Sequence, residues 1–185
     1  MDMSTGDLNP AAIPTVPANT QGDDRWMSLH NRFVSDSKDK EPEVLFVGDS
    51  LIQLMHQFEV VVLWVGTNNH GDTPDQIAGG ICAIVHLITN KLPRAHVLIL
   101  GLLPRGKLPN PLRVRNAQVN ALVQAALPSL PRASYLDVDP GLVHSDGTIS
   151  PQDLYDYLHL TPLTYRSVCQ PLHRAITALL EQPAL

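Results

Sequence analysis

Charge is what this 185-residue chain has little of: Asp, Glu, Lys and Arg make up 17% of it, and the balance is −5 with a pI near 5.8. No basic field exists to neutralise a phosphate backbone, so nucleic acid is not an expected partner. Cysteine is scarce too. Cys82 and Cys169 are the only two, far apart and outside any Cys-x-x-Cys spacing, which argues against a disulfide framework and a zinc site and for two buried thiols in a reducing compartment. Long apolar runs are missing: Val60 to Val65 and Val97 to Leu103 are strand-sized, and residues 1–14 have neither the basic start nor the apolar core of an export signal. The expectation is a cytoplasmic protein that does not span a membrane. Metal ligands are sparse as well. Asp137 and Asp139 near a strand end lack further ligands, so no metal and no other cofactor is expected.

What remains is an ordinary apolar fraction, 44%, enough for one core without staples. Residues 1–24 combine Pro10, Pro14, Pro17, Gly6 and Gly22 with little apolar content and read as a disordered arm, leaving 25–185 as a single domain. Trp26, Leu29 and Phe33 recur at helical spacing, so a short amphipathic helix precedes Lys38-Asp39-Lys40-Glu41-Pro42. Three continuous apolar runs then each end in glycine: Val44 to Gly48, Val60 to Gly66 and Ala95 to Gly101, the mark of strands buried on both faces of a parallel sheet. Ser134 to Val138 is a fourth strand. Thr73-Pro74, Asn110-Pro111 and Thr161-Pro162 open helices reaching Lys91, the neighbourhood of Leu127, and Leu180. Strand and helix alternate, which predicts a doubly wound α/β parallel sheet with its ligands at the carboxyl ends of the strands.

Chemistry concentrates at that edge. The chain has no Gly-x-Ser-x-Gly elbow, but Ser50 in Gly48-Asp49-Ser50-Leu51 directly follows a strand and opens a helical stretch, Leu51 to Phe58. Its hydroxyl could attack an acyl carbon and its backbone N–H could receive the developing negative charge; a plain helix cap is the alternative. Asp156 and His159 stand three apart, a spacing that on a helical turn lets the carboxylate fix the imidazole tautomer. Asp153 is assigned to the helix start at Ser150-Pro151. Asn68 in Gly66-Thr67-Asn68-Asn69 can donate its amide to an oxyanion. Leu51 and Leu158, beside the candidate nucleophile and base, either bound a small acyl pocket or face the core. Arg105, Lys107, Arg113 and Arg115 read as a solvated helix entry, and Asp146 next to His144 as a turn residue bonding its own backbone.

These three blocks resemble the first, third and fifth blocks of the SGNH (GDSL) hydrolases. Arg25-Trp26-Met27-Ser28, Lys38-Asp39-Lys40-Glu41-Pro42, Gly101-Leu102-Leu103-Pro104-Arg105-Gly106 and His144-Ser145-Asp146-Gly147 narrow the resemblance to the catalytic α subunits of the intracellular type Ib platelet-activating factor acetylhydrolases, α1 before α2. The resemblance implies a flavodoxin-like fold and metal-free removal of the sn-2 acetyl group of platelet-activating factor. It also implies homodimers or heterodimers with the α2 subunit, and association with the WD40-repeat lissencephaly protein. In it Ser50 is nucleophile, His159 base, Asp156 orienter and Asn68 an oxyanion donor.

One block of that pattern is absent. Relatives carry a further strand, a glycine-bearing turn and a helix before the Gly-Thr-Asn-Asn strand, whereas Gln57-Phe58-Glu59 here runs straight into Val60. The glycine whose N–H completes the oxyanion hole has no counterpart, and the residues from Leu51 to Glu59 are short for a parallel crossover. The sheet is therefore expected to lack a strand–helix unit, to be strained, or both. The alternative to an active esterase is a catalytically impaired subunit that retains the dimer and WD40-binding surfaces.

Overall fold

The computed structural model describes residues 25–37, 44–48 and 59–181. Four strands, β1 (Val44–Gly48), β2 (Val60–Trp64), β3 (His96–Leu100) and β4 (Ala133–Leu136), form one sheet in the order β1-β2-β3-β4. All three pairings are parallel, with Val44 opposite Val60, Val60 opposite His96 and Val97 opposite Ala133. A flavodoxin-like sheet runs 2-1-3-4-5; deleting its second strand leaves the order seen here. The short link after β1, expected to lack the reach for a parallel start at Val60, nonetheless joins two strands in parallel register. Most of that link, with the stretch read as the helix Leu51 to Phe58, lies outside the described residues, as does the arm 1–24.

Helix α1 (Arg25–Ser37) covers the predicted amphipathic stretch, and α2 (Pro74–Lys91), α3 (Pro111–Ala126) and α4 (Pro162–Leu180) start where the proline signals put them. Thr73 closes a capping box with Gln76, and Thr161 caps α4. Helices α2 and α3 pack on each other, as the parallel crossovers that join β2, β3 and β4 in sequence order require when they share one hand, and α4 packs against β2. Residues 60–63 of β2 are between 0% and 1% exposed, as a strand covered on both faces must be. Among the described residues no helix is long and apolar enough to cross a membrane. The thiols depart from expectation: Cys82 is half-buried and Cys169, on α4, is exposed.

Gly66, where the chain leaves β2, carries φ +121°, and a Cβ there would stand 2.9 Å from the Ile77 side chain. Backbone conformation and space both demand glycine. Gly66→Ala is expected to lower stability by about 1–3 kcal/mol through that strain, read as a lower urea midpoint with an unchanged m-value.

Candidate active site

The carboxyl ends of β2 and β3 open into a cleft lined by Trp64, Val65, Thr67, Leu103, Arg105 and Leu158 among others. Gly48 pairs with Trp64, so β1 ends beside this cleft. Ser50 and Leu51 follow Gly48 in sequence and lie outside the described residues.

The base side is built from one loop. Leu154 and Leu160, 0% and 3% exposed, form an antiparallel bridge that plants the loop in the core, with the Tyr155 N–H donating to the His159 carbonyl at 3.1 Å. Between them the chain turns without a helix. Asp156 Oδ1 accepts from the N–H groups of Leu158 (3.0 Å) and His159 (2.7 Å), an Asx turn that leaves Tyr157 at φ +64°. The helical turn expected over Asp156–His159 is thus replaced by one that the aspartate itself makes, yet the pairing survives: His159 Nδ1 lies 2.6 Å from Asp156 Oδ2. Partial desolvation raises the Asp156 pKa, but the His159 N–H, its imidazole and the Leu158 N–H outweigh that and hold it down at about 2. A carboxylate that stays ionised can only accept, so Nδ1–H donates and Nε2 is the nitrogen left to act as a base. Tyr155 stacks on the imidazole, with ring centroids 5.7 Å apart.

Asp153 does not serve the helix start. Its carboxylate takes the imidazole Nε2 of His144 at 3.0 Å, and the Gln152 N–H goes to Ser150 Oγ. Asp146 behaves as expected, accepting from the backbone and hydroxyl of Thr148.

Asn68 sits exposed on the turn after β2, its Oδ1 3.5 Å from Arg105 Nη1. The arginines are not a solvated helix entry. Arg105 Nη1 donates to the Thr67 carbonyl at 2.8 Å. Arg113 donates to the carbonyls of Arg105, Gly106, Lys107 and Gly147, and the Gly106 N–H in turn donates to the Tyr157 carbonyl at 2.7 Å. Arg115, 8% exposed, donates to the Asn69 and Thr67 carbonyls at 2.7 and 2.9 Å, and Asn116, 1% exposed, to the Leu103 carbonyl at 2.9 Å. The arginines were misread and Asn116 was missed although a signal existed. Arg115, Val119 and Val123 recur every four residues, so the apolar stripe of α3 carries an arginine at its first position. Leu158 lines the cleft, which favours the pocket over the core among the two readings of that side chain.

The carboxyl ends of β1 and β2, the turn that carries Asn68 and the loop that carries the oriented imidazole meet at one sheet edge, an arrangement that fits an acyl hydrolase of the α/β type. A model described as the GDSL-like lipase/acylhydrolase family matches residues 16–167, and the chain belongs to that family. It is 52% identical to the human platelet-activating factor acetylhydrolase IB subunit alpha1 over 217 residues, covering 96% of this chain and 94% of that protein. To the chicken subunit alpha2 it is 51% identical over 219 residues, covering 97% and 96%. These values leave the two subunit types about equally similar. Coverage of 97% is about 180 of the 185 residues, so a 219-position alignment leaves about 40 positions of the chicken subunit internally unmatched, in keeping with a missing block. A candidate acylhydrolase structure from Bacteroides fragilis shares the fold at a TM-score of 0.67 and 18% identity, covering 84% of this chain and 99% of that one.

Because Asp156 titrates lower in the folded chain than an ordinary carboxyl near 3.9, its charge stabilises the fold fully above about pH 4 and ceases to do so as pH falls through about 2. The melting-temperature gap between the wild type and Asp156→Asn is expected to hold steady from pH 7 to 5 and to shrink below about 4. Its exposure keeps the gap modest.

Proposed function

We propose that this chain is a serine acyl-ester hydrolase that removes the sn-2 acetyl group of platelet-activating factor and related short-chain lipids. The observation that carries the reading is the 2.6 Å contact between His159 Nδ1 and Asp156 Oδ2 beside a cleft that Leu158 lines. In this scheme Ser50 Oγ attacks the ester carbonyl while His159 Nε2 takes its proton, and Asp156 stabilises the imidazolium that forms. The Asn68 amide and the Ser50 backbone N–H receive the oxyanion. The imidazolium then protonates the departing alcohol, and water, deprotonated by the same nitrogen, releases the acyl group from Ser50.

Leu51 and Leu158 bound the acyl pocket and limit it to short chains. The similarity to proteins named as subunits supports assembly with another chain; in this reading the partners are a second copy or an alpha2-type chain in a dimer and the WD40-repeat lissencephaly protein. Free rather than disulfide-bonded cysteines accord with a cytoplasmic setting.

A fluorophosphonate probe tests the assignment directly. A covalent adduct on Ser50, absent in Ser50→Ala, is expected, with turnover about 10²–10³-fold below that of a subunit carrying the additional oxyanion glycine. A folded dimer that takes up no probe would instead identify the impaired, partner-binding subunit. Leu158→Ala is expected to raise kcat/KM for butyryl over acetyl esters roughly tenfold, measured with a matched ester series; an unchanged ratio removes Leu158 from the pocket.

A further inference from the structure

We infer that Arg115 is a positioning residue for the oxyanion donor Asn68, an inference resting on the reading of Asn68 just given. The two carbonyls that flank Asn68 in the chain, those of Thr67 and Asn69, both accept from the one guanidinium, Asn69 from Nη1 at 2.7 Å and Thr67 from Nη2 at 2.9 Å. The fork therefore fixes the peptide plane that enters Asn68 and the one that leaves Asn69, holding the two-residue segment at both ends, while the Asn68 carbonyl between them accepts from the His70 N–H at 2.9 Å and Asn68 itself stays exposed. Arg105 Nη1 reaches the same Thr67 carbonyl at 2.8 Å, and Asn116 Nδ2 lies 3.4 Å from Thr67 Oγ1. Asn68 is thus carried on a turn tied down at Thr67 and at Asn69, the residues on either side of it.

The alternative, that Arg115 serves only the core, fits the site poorly. The residue is 92% buried, its hydrogen bonds among the described residues go to uncharged oxygens, and its Nε has no partner there. Burying a cation with an unsatisfied donor costs stability that a leucine at the same stripe position would not. What leucine could not do is hold two carbonyls at a fixed separation. Lysine could not either, since its single ammonium lacks the planar fork.

The experiment combines Arg115→Lys, Arg115→Gln, Asn68→Ala and the Arg115→Lys/Asn68→Ala pair, scored by the rate of Ser50 phosphonylation and by kcat and KM on an acetyl ester. Arg115→Lys is expected to slow phosphonylation and kcat roughly 10–100-fold with KM changed less than about threefold, and to cost less than about twofold once Asn68 is alanine. Full additivity of the two substitutions overturns the inference, because Arg115 would then not act through Asn68. An Asn68→Ala protein that reacts at the wild-type rate overturns the oxyanion reading itself, and the inference with it. Amide exchange in the unsubstituted chain gives a test that needs neither turnover nor a variant that folds. The N–H groups of Asn69, His70 and Asp72, bonded within the turn, are expected to be protected at least 10-fold beyond an unfolded peptide, and unprotected amides there would show that the fork does not hold the turn.

Discussion

Backbone carbonyls at the carboxyl edge of a parallel sheet have no ladder to join, and this molecule satisfies them with arginine. The loops after β2 and β3 and the turn at Gly147 present acceptors that neither strands nor helices can pair. Arg105, Arg113 and Arg115 answer them with guanidinium forks, two of these from the first turns of α3, so a single helix ties three loops together. Asn110 fastens that helix to the same region: its Oδ1 caps α3 by accepting from Leu112 and Arg113, while its Nδ2 donates to the carbonyls of Arg105 and Leu108. Gly106 meets the resulting crowding, since a Cβ there would lie 2.5 Å from Asn110 Nδ2. The cleft walls contributed by the loops after β2 and β3 thus share one scaffold.

Strand order explains what the shortened chain keeps. Leaving out the second strand of a 2-1-3-4-5 sheet removes a neighbour of β1 and touches none of the pairs β1-β2, β2-β3 and β3-β4. The cleft walls from β2 and β3, the α3 clamp and the His159 loop all belong to the retained part. A unit set beside β1 in the 2-1-3-4-5 order would leave the base side untouched, so its absence is compatible with the oriented imidazole of His159.

Much of this was legible in the sequence, and the misses have physical causes. Continuous apolar runs ending in glycine marked β1, β2 and β3 to within a residue or two, because an unbroken apolar run leaves no polar position to blur the signal, and in β2 and β3 that run is the buried core itself. Thr-Pro and Asn-Pro pairs marked three helix starts, since capping is a local interaction. The Asp156–His159 pairing was also readable, but its geometry was not: spacing of three suits a helical turn and an Asx turn alike, and the bridge between Leu154 and Leu160 decides for the second. Arg115 was misread and Asn116 passed over because composition treats an arginine near a proline-rich loop as solvated, while the stripe of α3 puts both inside. His144 with Asp153 escaped because the contact joins residues nine apart across a turn that no periodicity describes.

The two halves of the proposed site differ in how they are held. His159 and Asp156 ride on a loop whose base is sealed into the core by Leu154 and Leu160 and whose tip is tied through Tyr157 and Gly106 to Arg113. Opening that loop requires breaking core packing, so its orientation is as durable as the domain. β1 pairs with β2 alone among the described strands, one ladder where an interior strand has two. An edge strand is the cheaper element to displace. Reaction at Ser50 requires both halves in register, so the fraction of molecules competent to react is set by the weaker one. A further strand on the open side of β1, as the 2-1-3-4-5 order has, would give it a second ladder and reinforce this half, so the placement of a nucleophile after β1 depends on what covers that edge.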